Sequence, residues 1–443
     1  MNRDFDFLIV GGGITGSVMA SLLVNRKLAQ PARVAIVTGG APPAVGRHAA
    51  SGPAVGRPAV GRPADSEWDL RVFALSRASR RLLSLCGAWQ GLPGDKVFAY
   101  ERMCVWEARG GPPTGVTPWG VTPLGVTPPG AGSLTFDCAE LGEPNLGYIV
   151  EGRALQAQCQ RAAAALGIVA VDAGIVQIRA DESRVRVSLT DGRELEGRLL
   201  IAADGADSAA RTLLGIETAG HGYHQDALVA HVRTAKPHRN TAWQRFLPSG
   251  PLAFLPMPDG RSSIVWSAEC AQADRLRSLD AAAFGAELTT AGGEVLGACE
   301  LTTPIASFPL RLQYALDYAR PRAVLVGDAA HAVHPLAGQG LNLGLLDCAT
   351  LAEVLEGAAD VGEYGALRRY ERRRKSENLL AATTFDGLER LFSSRSATLA
   401  SLRMAGLGAV GRVPFIKRRL AERAMGLGDD VPGFLKAAAG EPF

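Results

Sequence analysis

No run of about 18 apolar residues free of charge occurs in the 443-residue chain, so no segment reads as membrane-spanning. Cysteine is scarce and scattered. The seven residues (Cys86, Cys104, Cys138, Cys159, Cys270, Cys299 and Cys348) form no C-x-x-C pair and are odd in number. That excludes a disulfide framework and a zinc site, and no metal is expected. They read as small core residues in a reducing compartment. Excess charge is lacking too: 47 Lys and Arg against 44 Asp and Glu leave +3, which gives no nucleic-acid footprint. The start of the chain lacks a signal-peptide pattern, because acidic Asp4 and Asp6 lead straight into a short strand. A cytoplasmic protein is expected.

What is present is an ordinary globular balance, 47% hydrophobic and 21% charged, in a chain too long for one compact core. A strand (5–10), a glycine turn, a helix (14–29) and a strand (34–37) open the sequence. Two tracts with a five-residue period follow, "PAVGRPAVGRPA" (53–64) and "GVTPWGVTPLGVTPPG" (115–130). Pro and Gly recur in them too often for a helix or a central strand, so both read as exposed loop expansions whose deletion leaves the fold intact. Between the tracts, an extended entry leads to a helix with Leu82, Leu83 and Leu85 as its apolar positions. A second helix (153–166) precedes strands at 175–179, 185–189 and 195–202. Alternating stretches at 228–233, 243–246, 253–255 and 263–266 predict a separate antiparallel sheet. A buried strand at 323–326 returns to the first domain, and from about Leu341 the chain is mainly helical.

Three motifs carry chemistry. "IVGGGITGS" sets Gly11, Gly13 and Gly16 in G-x-G-x-x-G spacing between strand and helix. That pattern gives a tight turn, a close approach for pyrophosphate and close strand–helix packing. The next strand ends in Thr38, where a ribose-gripping carboxylate is usual, so a weaker neutral hydrogen bond is expected there. In "LLIAADGADSAARTLLGI" a strand runs into an Asp204-Gly205 turn, and Ser208 is placed to cap a helix containing Arg211. In "VLVGDAAHAVHPLAGQGLNLGLLD" a strand ends in Gly327-Asp328. His331, His334 and Pro335 follow, and Gly338-Gln339-Gly340 opens a helix whose N–H groups suit an electron-rich ring edge or oxyanion. Asn342 and Asp347 are read as pinning that helix or a cofactor.

"HPLAGQGLNLGLLD", from His334 to Asp347, resembles the signature of the ubiquinone-biosynthesis hydroxylases, a branch of the single-component FAD-dependent aromatic monooxygenases. "LRVFALS", "LGYIVEGRAL", "ADGADS", "QRFLPSGPLAFLPMPDG" and "LRRYERRRKS" are similar to family segments in family order. The resemblance implies that Gly11, Gly13 and Gly16 hold the FAD pyrophosphate and that Arg71 lies against the cofactor. It further implies that Asp204 and Gly205 serve FAD and a visiting NAD(P)H, and that Asp328 binds the ribityl chain or pyrophosphate. Pro335, Gly338, Gln339 and Gly340 would border the isoalloxazine, with Asn342 beside them. Thr38 and Gly152 depart from the family pattern, with Arg153 as a substitute for the polar residue at 152.

The implied architecture is an α/β fold. A Rossmann-like FAD-binding domain is split over 1–85, 146–216 and 306–360. A substrate-domain segment with the low-complexity insert spans 86–145, the antiparallel-sheet substrate domain 217–305, and a helical C-terminal region 361–443. The implied reaction is hydroxylation of a polyprenylated phenol with O2 and NAD(P)H or another electron donor. A prenyl reductase or epoxidase and a cofactor-poor scaffold subunit of a quinone-synthesis complex are the alternatives. A base near the phenol would help, and "HGYHQD" offers His221 and His224. Phe246, Leu252, Phe254 and Leu255 are expected to form one wall of an apolar channel. "VGRVPFIKRRLAERAMGL" mixes apolar and basic residues. It is read either as a surface for the inner membrane or a biosynthetic partner assembly, or as a helix packed on its own domain. An oligomer is compatible with all of these readings.

Overall fold

The computed structural model describes residues 3–39, 68–107, 132–332, 339–393, 413–428 and 431–436. Both repeat tracts, His334, Pro335 and Gly338 lie outside them. The chain begins with β1 (Arg3–Val10), α1 (Ile14–Asn25) and β2 (Val34–Val37). Helix α1 stops four residues before the predicted end, because Lys27 takes a left-handed φ of 59° and the amide of Leu28 turns back to the Leu23 carbonyl. Next come β3 (Val72–Leu75), α2 (Arg77–Leu85), β4 (Val97–Tyr100) and β5 (Arg102–Glu107). Ser76 caps α2 by accepting from the Ser79 amide; Leu82 and Leu83 are buried, whereas Leu85 is exposed.

β6 (Ser133–Asp137), α3 (Cys138–Leu141), β7 (Gly147–Glu151) and α4 (Gly152–Ala165) lead into β8 (Val169–Val171). After β9 (Ile175–Ala180), β10 (Val185–Leu189) and β11 (Glu194–Ala202) comes α5 (Ala209–Leu213). A run of long strands follows: β12 (Thr218–Thr234), β13 (Thr241–Leu247), β14 (Gly250–Pro256) and β15 (Ser262–Glu269). Helices α6 (Cys270–Ser278) and α7 (Ala281–Ala291) precede β16 (Cys299–Leu301) and β17 (Ala306–Ala315). Then come β18 (Ala319–Arg320), β19 (Ala323–Leu325) and β20 (His331–Ala332). The described chain closes with α8 (Gly340–Glu356), α9 (Tyr364–Ser393) and α10 (Pro414–Ala424).

These strands make three sheets. In the first, β19, β11, β1, β2 and β8 run parallel, with antiparallel β18 at one edge and β9 and β10 beside β11. β2 and β19 are buried throughout, and β1 and β11 over their last four residues, as a parallel sheet covered on both faces requires. The second sheet runs β20-β17-β12-β15-β14-β13-β5-β6, antiparallel except where β13 meets β5. The third is a small antiparallel sheet, β3-β7-β4.

Side chains alternate between the two faces of the second sheet. Leu228, Leu252, Phe254, Ile264 and Trp266 pack on one face against Leu276 of α6 and Phe284 and Leu288 of α7. The opposite face, carrying Ala227, Val229, Ala253, Leu255 and Val265, looks into a cavity. Helices α6 and α7, absent from the sequence reading, therefore decide which face is core.

Candidate active site

At the head of α1 the three glycines have separate duties. Gly11 takes φ +111°, and a Cβ there would overlap the carbonyl of Ala203 at the end of β11. A Cβ on Gly16 would overlap the Gly11 carbonyl, so α1 sits against the turn only because Gly16 has no side chain. Gly13, the N-cap of α1, has open space where its Cβ would stand and lines the cavity. No side chain caps α1. Its first amides and positive dipole end are therefore open to an anion, worth about 0.3–1 kcal/mol. Gln160 of α4 donates to the Gly12 carbonyl at 2.7 Å and joins the cavity wall.

Thr38 is exposed, its hydroxyl 3.5 Å from the Val171 carbonyl, and it is not among the residues lining the cavity. Its Cγ2 stands so near Gly12 that a Cβ there would overlap it. Arg71 lines the cavity with its guanidinium 4.9 Å above the Phe73 ring. The Gly152 amide donates to the Arg71 carbonyl at 2.8 Å, and a Cβ on Gly152 would press on that same oxygen. The departure at 152 thus follows from a close backbone approach. Arg153 and Asp69, 3.8 Å apart, both line the cavity.

Asp204 has a different employment from the one implied by resemblance. Its carboxylate accepts from the Ser208 hydroxyl at 2.5 Å and from the Ala210 amide at 3.0 Å, and it does not line the cavity. Together with Ser208, which accepts from the Arg211 amide at 2.9 Å, it caps α5. Gly205, at φ +87°, does line the cavity. Across from it, Asp328 is exposed into the cavity, carried on the turn after β19 whose Gly327 takes φ +62°. Gln339 and Gly340 bring the uncapped head of α8 to the same space.

Asn342 and Asp347 hold α8 in place from inside. The Asn342 side chain accepts from the Ser76 amide (2.9 Å) and Ser79 hydroxyl (2.7 Å), and donates to the Ala74 carbonyl (2.9 Å) and Gln339 (3.3 Å). Three of these four bonds clamp α8 onto β3 and α2, and the fourth ties Asn342 to Gln339 at the head of its own helix. Asp347, fully buried, pairs with His331 Nε2 at 2.6 Å and Arg374 at 2.8 Å, and accepts from Asn378 and the Gly327 amide at 3.0 Å each. Burial opposes ionisation of Asp347, but His331 and Arg374 more than offset it and hold the carboxyl at about 2. This network fixes the Gly327-Asp328 turn, and with it the carboxylate that faces the cavity.

The cavity, about 1140 Å³, runs from these turns along the second sheet. That exceeds the roughly 300–1,000 Å³ of a single small-ligand pocket, so it has room for a large cofactor and a second molecule. The expected sheet wall needs correction. Leu255 faces the cavity, but Leu252 and Phe254 lie on the helix-covered face, and Phe246 is not among the lining residues. His221 and His224 are also displaced: both are exposed at a bulge of β12, His224 with φ 54°, and neither reaches the cavity. Sequence reasoning missed Tyr100, Met103, Gln244 and Ser267, all of which line it. Among the described residues no group of His, Cys, Asp and Glu is placed to hold a metal ion.

With this geometry in hand, similarity to known proteins is informative. Residues 158–381, half of the chain, match the model of an FAD binding domain. The chain is 32% identical to the 3-demethoxyubiquinol 3-hydroxylase of Escherichia coli (strain K12), over 96% of this chain and 100% of that protein. It is 35% identical to the ubiquinone hydroxylase UbiL of Rhodospirillum rubrum, over 97% of this chain and 92% of that protein. Among solved structures, p-nitrophenol 4-monooxygenase PnpA from Pseudomonas putida DLL-E4 matches with a TM-score of 0.68 at 16% identity. That match covers 97% of this chain and all of the other, and at that identity it speaks for the fold alone.

Proposed function

The chain belongs to the FAD-dependent ubiquinone-biosynthesis hydroxylases, and from that premise we propose that it hydroxylates the aromatic ring of a polyprenylated phenol, with O2 as oxidant and NAD(P)H as reductant. The observation that carries this reading is the single cavity. It joins two open helix heads and a carboxylate to an apolar sheet face.

The residues fit FAD on structural grounds. Gly13 leaves an empty approach to the first amides of α1, which suits a pyrophosphate. Asp328 faces the same space with a carboxylate suited to sugar or ribityl hydroxyls, and Gln339-Gly340 presents the head of α8. Bound there, the flavin would carry electrons from NAD(P)H to O2, the chemistry that side chains cannot supply. The protein's own tasks are to bind, orient and keep water out. Ala227, Val229, Ala253, Leu255 and Val265 offer an apolar wall to a prenyl chain, each buried CH₂ contributing about 0.8 kcal/mol.

A substrate of this kind resides in a bilayer, and among the described residues no helix is long and apolar enough to cross one. The reading is that the enzyme works peripherally at the membrane. α10 supports it. Phe415, Ile416 and Leu420 are exposed beside Arg419 and Arg423, while Ala424 at its end lines the cavity.

The test is direct. Purified protein should carry a flavin spectrum, bleach with NAD(P)H, and in air convert a short-chain prenylphenol to a product one oxygen atom heavier by mass spectrometry. A colourless protein that takes up no added FAD would remove the proposal.

A further inference from the structure

The register of the second sheet reveals one polar group out of keeping with its surroundings. Gln244 on β13 stands opposite Ala253 on β14, which stands opposite Val265 on β15 and then Val229 on β12. Ala242, two residues before Gln244 on the same face, pairs with Met103 of β5, and both line the cavity. This row is apolar except for Gln244, and small at the two positions nearest it. Gln244 lines the cavity and is only 6% exposed, and among the described residues its side-chain amide, which opens onto the cavity, makes no hydrogen bond.

A primary amide set in an apolar wall keeps an acceptor oxygen and two donor hydrogens, and a ligand that displaces water from them must replace those bonds or lose them. The other cavity-lining glutamines are less buried: Gln156 and Gln160 are exposed, with Gln160 donating to the Gly12 carbonyl, and half-buried Gln339 accepts from Asn342. Among the described sheet residues that line the cavity, Tyr100 of β4 and Ser267 of β15 carry the hydroxyls. Ser267 pairs with Ala227 of β12, and β14 lies between its strand and Gln244 on β13. Gln244 also sits on β13, five strands from β20, where the chain leaves the Asp328 turn. Its amide therefore serves the sheet side of the cavity rather than the glycine turn or the head of α8.

We propose that Gln244 is a substrate-recognition residue whose amide binds an oxygen carried by the aromatic ring, a phenolic hydroxyl or its alkoxy counterpart, as the ring lies over Ala242 and Ala253. An amide suits this role because it can donate to and accept from one hydroxyl at once, while its lack of charge leaves the apolar wall fit for a prenyl tail. A site that leaves a buried polar group unpaired rejects the ligand that lacks the matching oxygen. The inference rests on the proposed phenol substrate.

The test uses FAD-loaded enzyme and two probes, a short-chain 2-prenylphenol and the prenylbenzene lacking the hydroxyl. Binding is read from the change in the flavin's visible spectrum. The wild type is expected to prefer the phenol about tenfold, the worth of one net hydrogen bond. In Gln244→Leu the preference should fall to about one, with FAD content unchanged and Tm equal or higher, since an unbonded amide has been replaced by a hydrocarbon. Gln244→Asn, with the amide drawn back by one methylene, should lie between them and serves if the leucine variant misfolds. A full tenfold preference in either variant, or no preference in the wild type, would overturn the assignment. Failure of both probes to perturb the wild-type flavin would instead remove the phenol reading itself.

Discussion

Replacing Asp347 by asparagine should be among the most damaging isosteric changes in the molecule, and its size can be worked from contacts. The carboxylate is completely buried and serves four donors: His331, Arg374, Asn378 and the Gly327 amide. The Arg374 side chain is 1% exposed, so neutralising Asp347 takes the opposing charge from a buried guanidinium and leaves it neutral partners such as Asn378 and the Leu343 carbonyl; breaking such a pair costs about 3–5 kcal/mol. A second route gives the same order. A carboxyl held at about 2, against an ordinary 3.8, corresponds to ~2.5 kcal/mol of stabilisation. Because the folded value is depressed, that contribution is whole above pH ~4 and drains away as pH falls toward 2. The mutation should exceed the proton's effect, since asparagine also turns an NH₂ toward groups that themselves donate. Urea denaturation at pH 7 measures the loss as a lower midpoint at constant slope. Titrated from pH 5 to 2.5, both proteins should lose stability as other carboxyls held below their ordinary values, such as Asp4, Glu353 and Asp360, take up protons, and the wild type should lose more because it alone also protonates Asp347. A loss below 1 kcal/mol, or equal acid sensitivity in both proteins, would refute the reasoning. Weaker FAD binding should accompany the variant, because the Gly327-Asp328 turn loses its anchor.

Three further outcomes are expected. Gly13→Ala should fold with an unchanged Tm, since its Cβ meets nothing and the residue's φ is an ordinary −74°. It should nevertheless lower FAD affinity in a fluorescence titration, while Gly16→Ala should fail to fold stably because its Cβ overlaps the Gly11 carbonyl. Thr38→Glu should tighten FAD about tenfold by adding a charge-assisted acceptor at the end of β2 and removing a methyl from Gly12; equal or weaker binding would make Thr38 a local solution in its own right. Phe415→Asp on α10 should halve or more the fraction co-sedimenting with anionic phosphatidylglycerol vesicles and leave turnover of a short-chain soluble phenol unaltered; unchanged sedimentation would argue that α10 faces something other than lipid.

The parts legible in the sequence were those in which local chemistry decides. The glycine spacing, the Ser208 cap, the strand ends before residues 204 and 328, and the opening of α8 all appear where periodicity and turn residues placed them. Phase was harder. Alternation in β14 separates Leu252 and Phe254 from Ala253 and Leu255, but only the packing of α6 and α7 tells which pair meets the core. Bulk suggested that the large residues line a channel; instead they are buried under helices, and the small ones leave the space. Asp204 illustrates a second limit. A carboxylate just before a helix serves the helix as readily as a ligand, and only the two contacts it makes distinguish these employments. Gln244 could have been singled out as a polar residue on an otherwise apolar face, but only after that face had been identified.

The order of the strands has a consequence for how the enzyme comes into being. β1 and the glycine turn leave the ribosome well before β11 and β19, which complete the parallel sheet around them and follow far along the chain. Gly13 and Asp328, on the two sides of the cavity, are separated by roughly 300 residues, which takes about 15–60 s to synthesise. During that interval the nascent chain holds an unfinished sheet with apolar strands unpaired. If Asp328 and the head of α8 hold the cofactor as proposed, its full capture is a late event, and a message truncated before β19 yields a chain with only the α1 part of that site and an exposed edge for chaperones or proteases to find.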